Sequence, residues 1–288
     1  MSRLRITHVT AYRYAEPVEF GPHRLVLRPR EGHDLQVEDL DLQLKPAAAF
    51  HWQRDVFGNS IAYAHVAEKA DQLEIRNVVT IRRRETNAAP DALRQLSARL
   101  PLEFSPLEES VVRGYLAPVY PEEAAALHQW AQAEFPSPEG ENAGGLLEEI
   151  GQWIRREIQY RRREDRGVQS PMETLRLRSG SCRDMATLLL ETLRALRLPA
   201  RFASGYLDSP ASAAGKAATH AWTEIYFPQH GWRGYDPTLG EATSHKHIVT
   251  GVSSHPRGVM PVSGSYSGGI TLGMTVSVRI ERLSAIVL

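Results

Sequence analysis

The stretch Ser179-Gly180-Ser181-Cys182-Arg183-Asp184-Met185-Ala186-Thr187-Leu188-Leu189-Leu190 ends a small, flexible turn and begins an apolar helix. It contains the one cysteine of this 288-residue chain, Cys182. A thiol at the start of a helix lies near unpaired backbone N–H groups and the positive end of the helix dipole. Both favour the thiolate, which is the nucleophilic form of cysteine. The sequence therefore predicts a reactive thiol at a helix N-terminus.

Two later segments supply the partners that a nucleophilic thiol needs. They read Thr219-His220-Ala221-Trp222 and Gly234-Tyr235-Asp236-Pro237-Thr238, and a turn at Gln229-His230-Gly231 separates them. On two adjacent antiparallel strands, His220 could act as a base and Asp236 could orient its ring. Each residue alone has a structural explanation: a buried cysteine is usually a small hydrophobe, and an aspartate before proline often forms a turn. The order Cys, His, Asp favours catalysis.

Other residues near these segments are candidates for supporting roles. The N–H of Cys182 and a second donor could form an oxyanion hole, and Tyr160 is a weak candidate for that donor. Trp222 either shields the site from water or fills the core. Asp184 is interpreted as a structural acid, either facing the helix dipole or pairing with an arginine such as Arg201. Glu224 is in phase with His220 along its strand, and a buried ion pair is a better explanation for it than chemistry.

The composition excludes several classes of protein. The formal net charge is zero, which argues against nucleic-acid binding, and no apolar stretch approaches the roughly 20 residues of a membrane span. A single cysteine cannot form an internal disulfide, and this suits a reducing compartment. The start, Met1-Ser2-Arg3-Leu4-Arg5-Ile6-Thr7, lacks the apolar run of a signal peptide. The expected location is the cytoplasm.

Hydrophobic patterning predicts an α+β chain in two parts. Residues 1 to about 85 alternate as short strands separated by turns, which is typical of a β-sandwich. Prolines recur between residues 86 and 121, and this segment is interpreted as a linker. Helical periodicity and then strands follow, with a small-residue segment at 209–218 interpreted as a mobile loop. Alternation returns at 271–288 and predicts a C-terminal β segment.

No cofactor is implied by the sequence. His245, His247 and His255 raise the question of a metal site, but no cysteine or close carboxylate completes a ligand set in the sequence, and surface or core histidines are the better interpretation. The chain has no G-x-x-x-x-G-K-[ST] phosphate loop, no G-x-S-x-G elbow and no acidic calcium loop of the D-x-[DN]-x-[DN]-G type. We therefore expect no metal.

These segments together resemble the transglutaminase-like superfamily of papain-like cysteine enzymes. The resemblance rests on Gly180–Ala186, Leu198–Tyr206, His220–Glu224 and Gly231–Thr238, whose order, spacing and flanking residues agree. The N-terminal part resembles the bacterial transglutaminase-like N-terminal region in three segments, which are His8–Tyr14, Leu25–Pro29 and Asp55–Asn59. By position, the resemblance implies that Cys182 is the nucleophile, His220 the base and Asp236 the orienting residue.

The resemblance implies a β-sandwich domain over residues 1–105 and a catalytic core with a C-terminal β segment over residues 106–288. In that core, the nucleophile would lie at a helix N-terminus packed on an antiparallel sheet. One segment departs from the family. Pro261–Gly268 fits a Pro-Val-x-Gly-x-Tyr-x-Gly stretch of many relatives, but Gly251–Gly258 lacks the acids that precede it there.

Three functions are compatible with these residues. The first is a cysteine amide hydrolase, a peptidase, isopeptidase or amidase acting on a peptide or protein through a thioester. The second is a transglutaminase, in which an amine takes the acyl group instead of water. The third is a non-catalytic interaction module. Hydrolysis is favoured because water needs no second binding site. The resemblance also raises a peptide-forming ligase as a partner of such an enzyme.

Overall fold

The N-terminal half of the molecule is built from two antiparallel sheets. The computed structural model describes residues 1–84, 93–136, 139–163 and 167–283. The strands of this half, together with three from the C-terminus that join them, are β1 (Ser2–Phe20), β2 (His23–Leu25), β3 (Leu35–Lys45), β4 (Ala48–Arg54), β5 (Ser60–Val66), β6 (Ala70–Arg83), β14 (Val262–Ser263), β15 (Tyr266–Ser267) and β16 (Thr271–Leu283). One sheet has the order β15-β1-β6-β3 with β16 also on β1, and the other has the order β14-β2-β5-β4.

The two sheets face each other across an apolar core, and this confirms the predicted sandwich. Tyr14 and Val18 of β1 and Leu73 of β6 pack there against Ala62 and Ala64 of β5. Strand side chains alternate between the two faces of a sheet, so the period-two pattern of the sequence places these residues inside.

The C-terminal strand belongs to the N-terminal sheet. The sequence-based division grouped residues 271–288 with the catalytic core, but β16 pairs along β1 from Arg3↔Leu283 to Tyr14↔Thr271. The residues of the Pro261–Gly268 stretch behave likewise, since β14 pairs with β2 and β15 pairs with β1. The pairing of strands this distant in sequence is decided by tertiary contacts, which alternation within one strand does not reveal.

The second half contains the helices and a five-stranded antiparallel sheet. The helices are α1 (Pro106–Val112), α2 (Ala124–Glu134), α3 (Ala143–Glu157), α4 (Pro171–Leu177), α5 (Cys182–Ala195) and α6 (Pro210–Ala213), with short 3-10 turns at Arg113–Tyr115 and Pro256–Val259. The strands are β9 (Ala200–Leu207), β10 (His220–Phe227), β11 (Gly231–Asp236), β12 (Glu241–Ala242) and β13 (His247–Ser253), in the order β12-β11-β10-β9-β13. A parallel pair, β7 (Gln159–Tyr160) and β8 (Ser179–Gly180), completes the set.

Two loops inferred from the sequence contain regular structure. The proline-containing linker includes α1, which begins with Pro106 after the N-cap residue Ser105. Proline is well suited to this first helical position because its missing N–H would have no helical partner there. Within the segment 209–218, α6 forms one turn, and the N–H of Val278 donates to the carbonyl of Ala217 at 2.8 Å. In the parts of the chain that the structure describes, no helix combines the length and apolarity that crossing a lipid bilayer requires.

Helix α5 is the centre of the second half. Its apolar residues are buried around most of its circumference, as expected for a helix enclosed by protein. It packs on β10 and β9, and the hydroxyl of Thr223 on β10 donates to the carbonyl of Ala186 on α5 at 2.7 Å. Leu188, Leu189 and Ile225 lie in the shared core. This packing sets the position of the helix N-terminus relative to the first residue of β10.

Asn59 ties the sandwich to the second half. Its side chain is fully buried, its Nδ2 donates to the carbonyl of Val252 at 2.7 Å, and its Oδ1 accepts from the N–H of Val252 at 2.9 Å. The amide thus pairs both backbone groups of one residue of β13. A second contact is apolar: Tyr206 and Ile248 pack in one cluster with Leu4 and Ile6 of β1.

We expect Asn59→Ala to lower the free energy of unfolding by about 3 kcal/mol, because both backbone groups of Val252 would remain buried without partners. Urea unfolding followed by tryptophan fluorescence measures this. Gln43→Ala is the matched control: that amide is exposed and binds the Asp41 side chain, and its loss should cost no more than about 0.5 kcal/mol. Equal midpoints for the two variants would contradict the role of Asn59.

Candidate active site

Cys182 is the first residue of α5 and is partly buried. Ser181 is the N-cap, and its N–H and its hydroxyl both donate to the carboxylate of Asp184 at 2.8 Å. This capping arrangement fixes the backbone on either side of Cys182. The thiol is therefore held at the helix start, next to the backbone N–H groups that the helix leaves unpaired.

Asp184 is a buried structural carboxylate. Its partner is Arg163, whose Nη1 lies 2.8 Å from Oδ2, and not Arg201, which the sequence suggested. Burial alone would raise the pKa of Asp184, but the hydrogen bonds from Arg163, Gln169 and Ser181 lower it below its ordinary value. Asp184 is therefore ionised, and Arg163 offsets a charge that would otherwise oppose a thiolate at Cys182.

Arg201 pairs with Glu224 instead. Arg201 Nη2 lies 2.7 Å from Glu224 Oε2 across the β9–β10 ladder, and the guanidinium stacks 3.8 Å from the ring centroid of Trp232. This is the ion pair expected for Glu224 from the sequence. The pair engages Arg201, which the sequence had suggested as the partner of Asp184. Glu224 lies four residues along β10 from His220, away from the thiol.

The structure brings Cys182, His220 and Asp236 together. His220 is the first residue of β10, and Asp236 is the last of β11. His220 Nε2 lies 2.6 Å from Asp236 Oδ2, and Cys182 is close enough to the same imidazole to raise its pKa. Because Nε2 is engaged by the carboxylate, Nδ1 is the nitrogen left for the thiol. The helix supplies the thiol, and two adjacent strands supply the histidine and the acid.

The surroundings of His220 favour its protonated form. Burial opposes the charge, but hydrogen bonds to Asp236 and Cys182 and the attraction of both groups outweigh it and raise the pKa of His220 to about 10. The imidazole therefore retains its proton at neutral pH. An imidazolium is the kind of neighbouring charge that favours the thiolate form of a cysteine.

Asp236 is completely buried and accepts four N–H groups. Oδ1 accepts the backbone N–H of Thr238 at 2.9 Å and of Leu239 at 3.2 Å, whereas Oδ2 lies 2.6 Å from His220 Nε2 and 3.1 Å from His247 Nε2. Burial would raise the pKa of this carboxyl, but the two histidines lower it far below the ordinary range. Asp236 therefore stays ionised in the absence of solvent.

His247 was not identified as a site residue from the sequence. It begins β13, its side chain is 2% exposed, and it contacts the same carboxylate oxygen as His220. The sequence signal was present in His245-Lys246-His247, but it was interpreted as surface or core histidines. Strand β13 of the same sheet brings His247 to Asp236, and this proximity depends on the order of strands in the sheet.

The three groups His220, Asp236 and His247 also have the side-chain types of a metal site. Their ligand atoms lie within 4.8 Å of one another. However, the two nitrogens lie 2.6 and 3.1 Å from one oxygen, whereas neighbouring ligands around tetrahedral zinc are separated by about 3.3 Å. These are hydrogen-bond distances, and they fit a proton on each nitrogen.

Tyr160 lies near Cys182, and Trp222 lies near the two imidazoles. Tyr160 is about half exposed on β7, which pairs with Gly180 just before the thiol, and burial and the charge of Cys182 raise its pKa. Trp222 is fully buried, with its ring centroid 6.3 Å from that of His220 and 5.1 Å from that of His247. Trp222 therefore packs against both imidazoles as well as contributing to the core.

Comparison with known proteins agrees with this architecture. The profile of the bacterial transglutaminase-like N-terminal region matches residues 4–82, and that of the transglutaminase-like superfamily matches residues 139–237. The chain is similar to a solved structure, a candidate cysteine protease from Cytophaga hutchinsonii, with a TM-score of 0.76 and 19% identity; the match covers 99% of this chain and 91% of that one. At this identity, the similarity concerns the fold.

Two curated relatives extend the comparison. The uncharacterized protein Rv2569c of Mycobacterium tuberculosis is 30% identical over 283 residues, which cover 91% of this chain and 87% of the relative. A protein-glutamine gamma-glutamyltransferase of Pseudomonas aeruginosa is 37% identical over 67 residues, which cover 21% of this chain and 10% of that protein. Given the full-length similarity and the two profiles, the chain belongs to the transglutaminase-like superfamily and carries a bacterial transglutaminase-like N-terminal region.

Proposed function

We propose that this protein is a cysteine-dependent amide hydrolase acting on a peptide or protein. The observation that supports this most directly is the convergence of Cys182, His220 and Asp236, in which His220 Nε2 lies 2.6 Å from the buried carboxylate of Asp236. A nucleophile, a proton carrier and an orienting acid in this sequence are what acyl transfer from an amide requires. Membership of the transglutaminase-like superfamily supports the same class of cysteine-based chemistry.

The proposed reaction has two steps. In the first, the Cys182 thiolate attacks the amide carbonyl carbon, the carbon–nitrogen bond breaks, and the imidazolium of His220 gives its proton to the leaving amine. In the second, water attacks the thioester while His220 takes a proton from it, and the carbon–sulfur bond breaks to release the carboxylic acid. Asp236 remains ionised throughout and stabilises the imidazolium.

The transition state places negative charge on the carbonyl oxygen. The backbone N–H of Cys182 at the start of α5 is proposed as one donor to that oxygen. The phenol of Tyr160 is the second candidate donor, since it is exposed to solvent and lies near enough to feel the charge of the thiol.

We also propose a cytoplasmic location, because a single free thiol persists most readily in a reducing compartment.

Transglutamination is the second candidate. The supporting observation is the similarity of a segment of this chain to a protein-glutamine gamma-glutamyltransferase. In that reaction, the same thioester forms, and a primary amine replaces water as the acceptor. We favour hydrolysis, because water reaches an acyl-enzyme without a second binding site for the acceptor.

Replacing His220 tests whether Cys182 is a reactive nucleophile. Iodoacetamide should alkylate Cys182 in the native protein at pH 6 at least about tenfold faster than in His220→Ala, where the rate should follow an ordinary thiol with a pKa of about 8.5. The direction of the expected effect follows from the raised pKa of His220. The imidazolium that would stabilise the thiolate is retained from acid pH up to about pH 10. Mass spectrometry of the single thiol measures the rate.

His65→Ala is the matched control for that comparison, since His65 is exposed on β5 of the sandwich. Its rate profile should coincide with that of the native protein. A native thiol that reacts at pH 6 no faster than the thiol of His220→Ala would overturn the proposed function.

The acceptor is tested by product analysis. We expect a library of glutamine-bearing and lysine-isopeptide-bearing peptides, incubated in heavy-oxygen water with a fluorescent primary amine, to yield carboxylic acids that carry the heavy oxygen. The physical reason is that water needs no dedicated site. Cys182→Ser, which retains a hydroxyl but not the thiolate, is the control and should give neither product. Amine adducts as the main product would favour transglutamination over hydrolysis.

A further inference from the structure

We propose that His247 is a positioning residue of this site: it donates its Nε2–H to Asp236 Oδ2 and so holds the oxygen that orients His220. The proposal rests on the proposed function, since it assigns a role within the same site. It begins from the observation that one buried carboxylate oxygen lies 2.6 Å from His220 Nε2 and 3.1 Å from His247 Nε2.

The protonation state of His247 follows from its second nitrogen. The backbone N–H of Ser244 donates to His247 Nδ1 at 3.1 Å, and the backbone N–H of His247 donates to the carbonyl of Ser244 at 2.9 Å. A ring nitrogen that accepts a hydrogen bond carries no proton. The turn before β13 therefore selects the neutral tautomer with its proton on Nε2, the nitrogen that faces Asp236.

Packing holds the ring in place. The His247 side chain is 2% exposed, and its ring packs against the Trp222 ring in a T-shaped arrangement with an interplanar angle of 75°. Gly205 makes this approach possible, because a Cβ at that position would lie 2.0 Å from the carbonyl oxygen of Ile248 and 3.1 Å from the Trp222 ring. The donor is thus preorganised before any substrate binds.

Sharing the carboxylate has a chemical consequence. The negative charge on Oδ2 is divided between two donors, so Asp236 attracts the proton of His220 less strongly than it would with one donor. An imidazolium that protonates a leaving amine must release its proton readily. His247 therefore does two things: it fixes the direction of the Asp236–His220 bond, and it moderates the basicity of His220.

Other charged groups lie near His220 and His247. Cys182 on α5 lies close enough to His220 to raise its pKa. On the sandwich side, a cleft of about 170 Å³ is lined by His247 and by charged groups that are Arg30, Glu31, Asp34, Arg201 and Glu224. At the end of β9, Arg83 pairs with Asp208. All of these charged groups are present in every His247 variant. A difference in the pKa of His220 between variants therefore reports the loss of the His247 donor.

The test is a direct titration of His220. Cys182 is blocked as its methyl disulfide with methyl methanethiosulfonate, which removes the thiolate from the titration and modifies one site only. NMR of the histidine-labelled protein then follows His220, whose signal is assigned by its absence in His220→Ala. In His247→Leu we expect the pKa of His220 to rise by roughly 0.5 unit or more, because Oδ2 loses one of its two imidazole donors.

Conservative variants separate positioning from packing. Glutamine can place an N–H donor near the position of Nε2, whereas the shorter asparagine reaches only the position of Nδ1. His247→Gln should therefore titrate like the native protein, and His247→Asn like His247→Leu. The Gln–Asn comparison also decides the question if His247→Leu does not fold.

His8→Leu is the matched control for loss of a buried histidine. His8 lies on β1, where it binds Tyr206 and Thr10, and its replacement should destabilise the protein but leave the titration of His220 unchanged. An unchanged His220 titration in both His247→Leu and His247→Asn would overturn the proposal. This readout does not require turnover, so it remains decisive even if the proposed hydrolase activity fails.

Discussion

A fully buried carboxylate is the constraint on which the site depends. Removing an ionised Asp236 from water is costly unless charged partners or hydrogen bonds replace the lost hydration. Here Thr238 and Leu239 donate from the turn after β11, and His220 and His247 donate from β10 and β13. Three parts of one sheet must therefore converge on a single side chain, and that convergence determines where the imidazole of His220 lies.

The second constraint is the packing of α5 against the sheet. The helix carries Cys182 at its start and is enclosed by apolar side chains along its length. Its contact with β10 through Thr223 sets the separation between the helix N-terminus and the start of the strand. Cys182 and His220 thus belong to two rigid elements, and rigid elements hold the geometry of a site more accurately than loops do.

The sandwich contributes to the same arrangement through β13, an edge strand of the sheet. Asn59 pairs both backbone groups of Val252 on β13, the strand that begins with His247. Strand β16 returns from the end of the chain to pair with β1. The two halves are therefore joined by backbone hydrogen bonds as well as by apolar packing. The N-terminal sandwich therefore supports the strand that carries His247.

The sequence by itself determined the fold class and the candidates Cys182, His220 and Asp236, because helix starts, strand alternation and a conspicuous residue order are local properties that one chain segment can display. Only the tertiary structure decided which distant groups meet. It paired β16 with β1, paired Asp184 with Arg163 rather than Arg201, and brought His247 into contact with Asp236. Strand order and ion-pair choice depend on how separate elements pack and on which buried charges must be satisfied, and no periodicity within a segment records either.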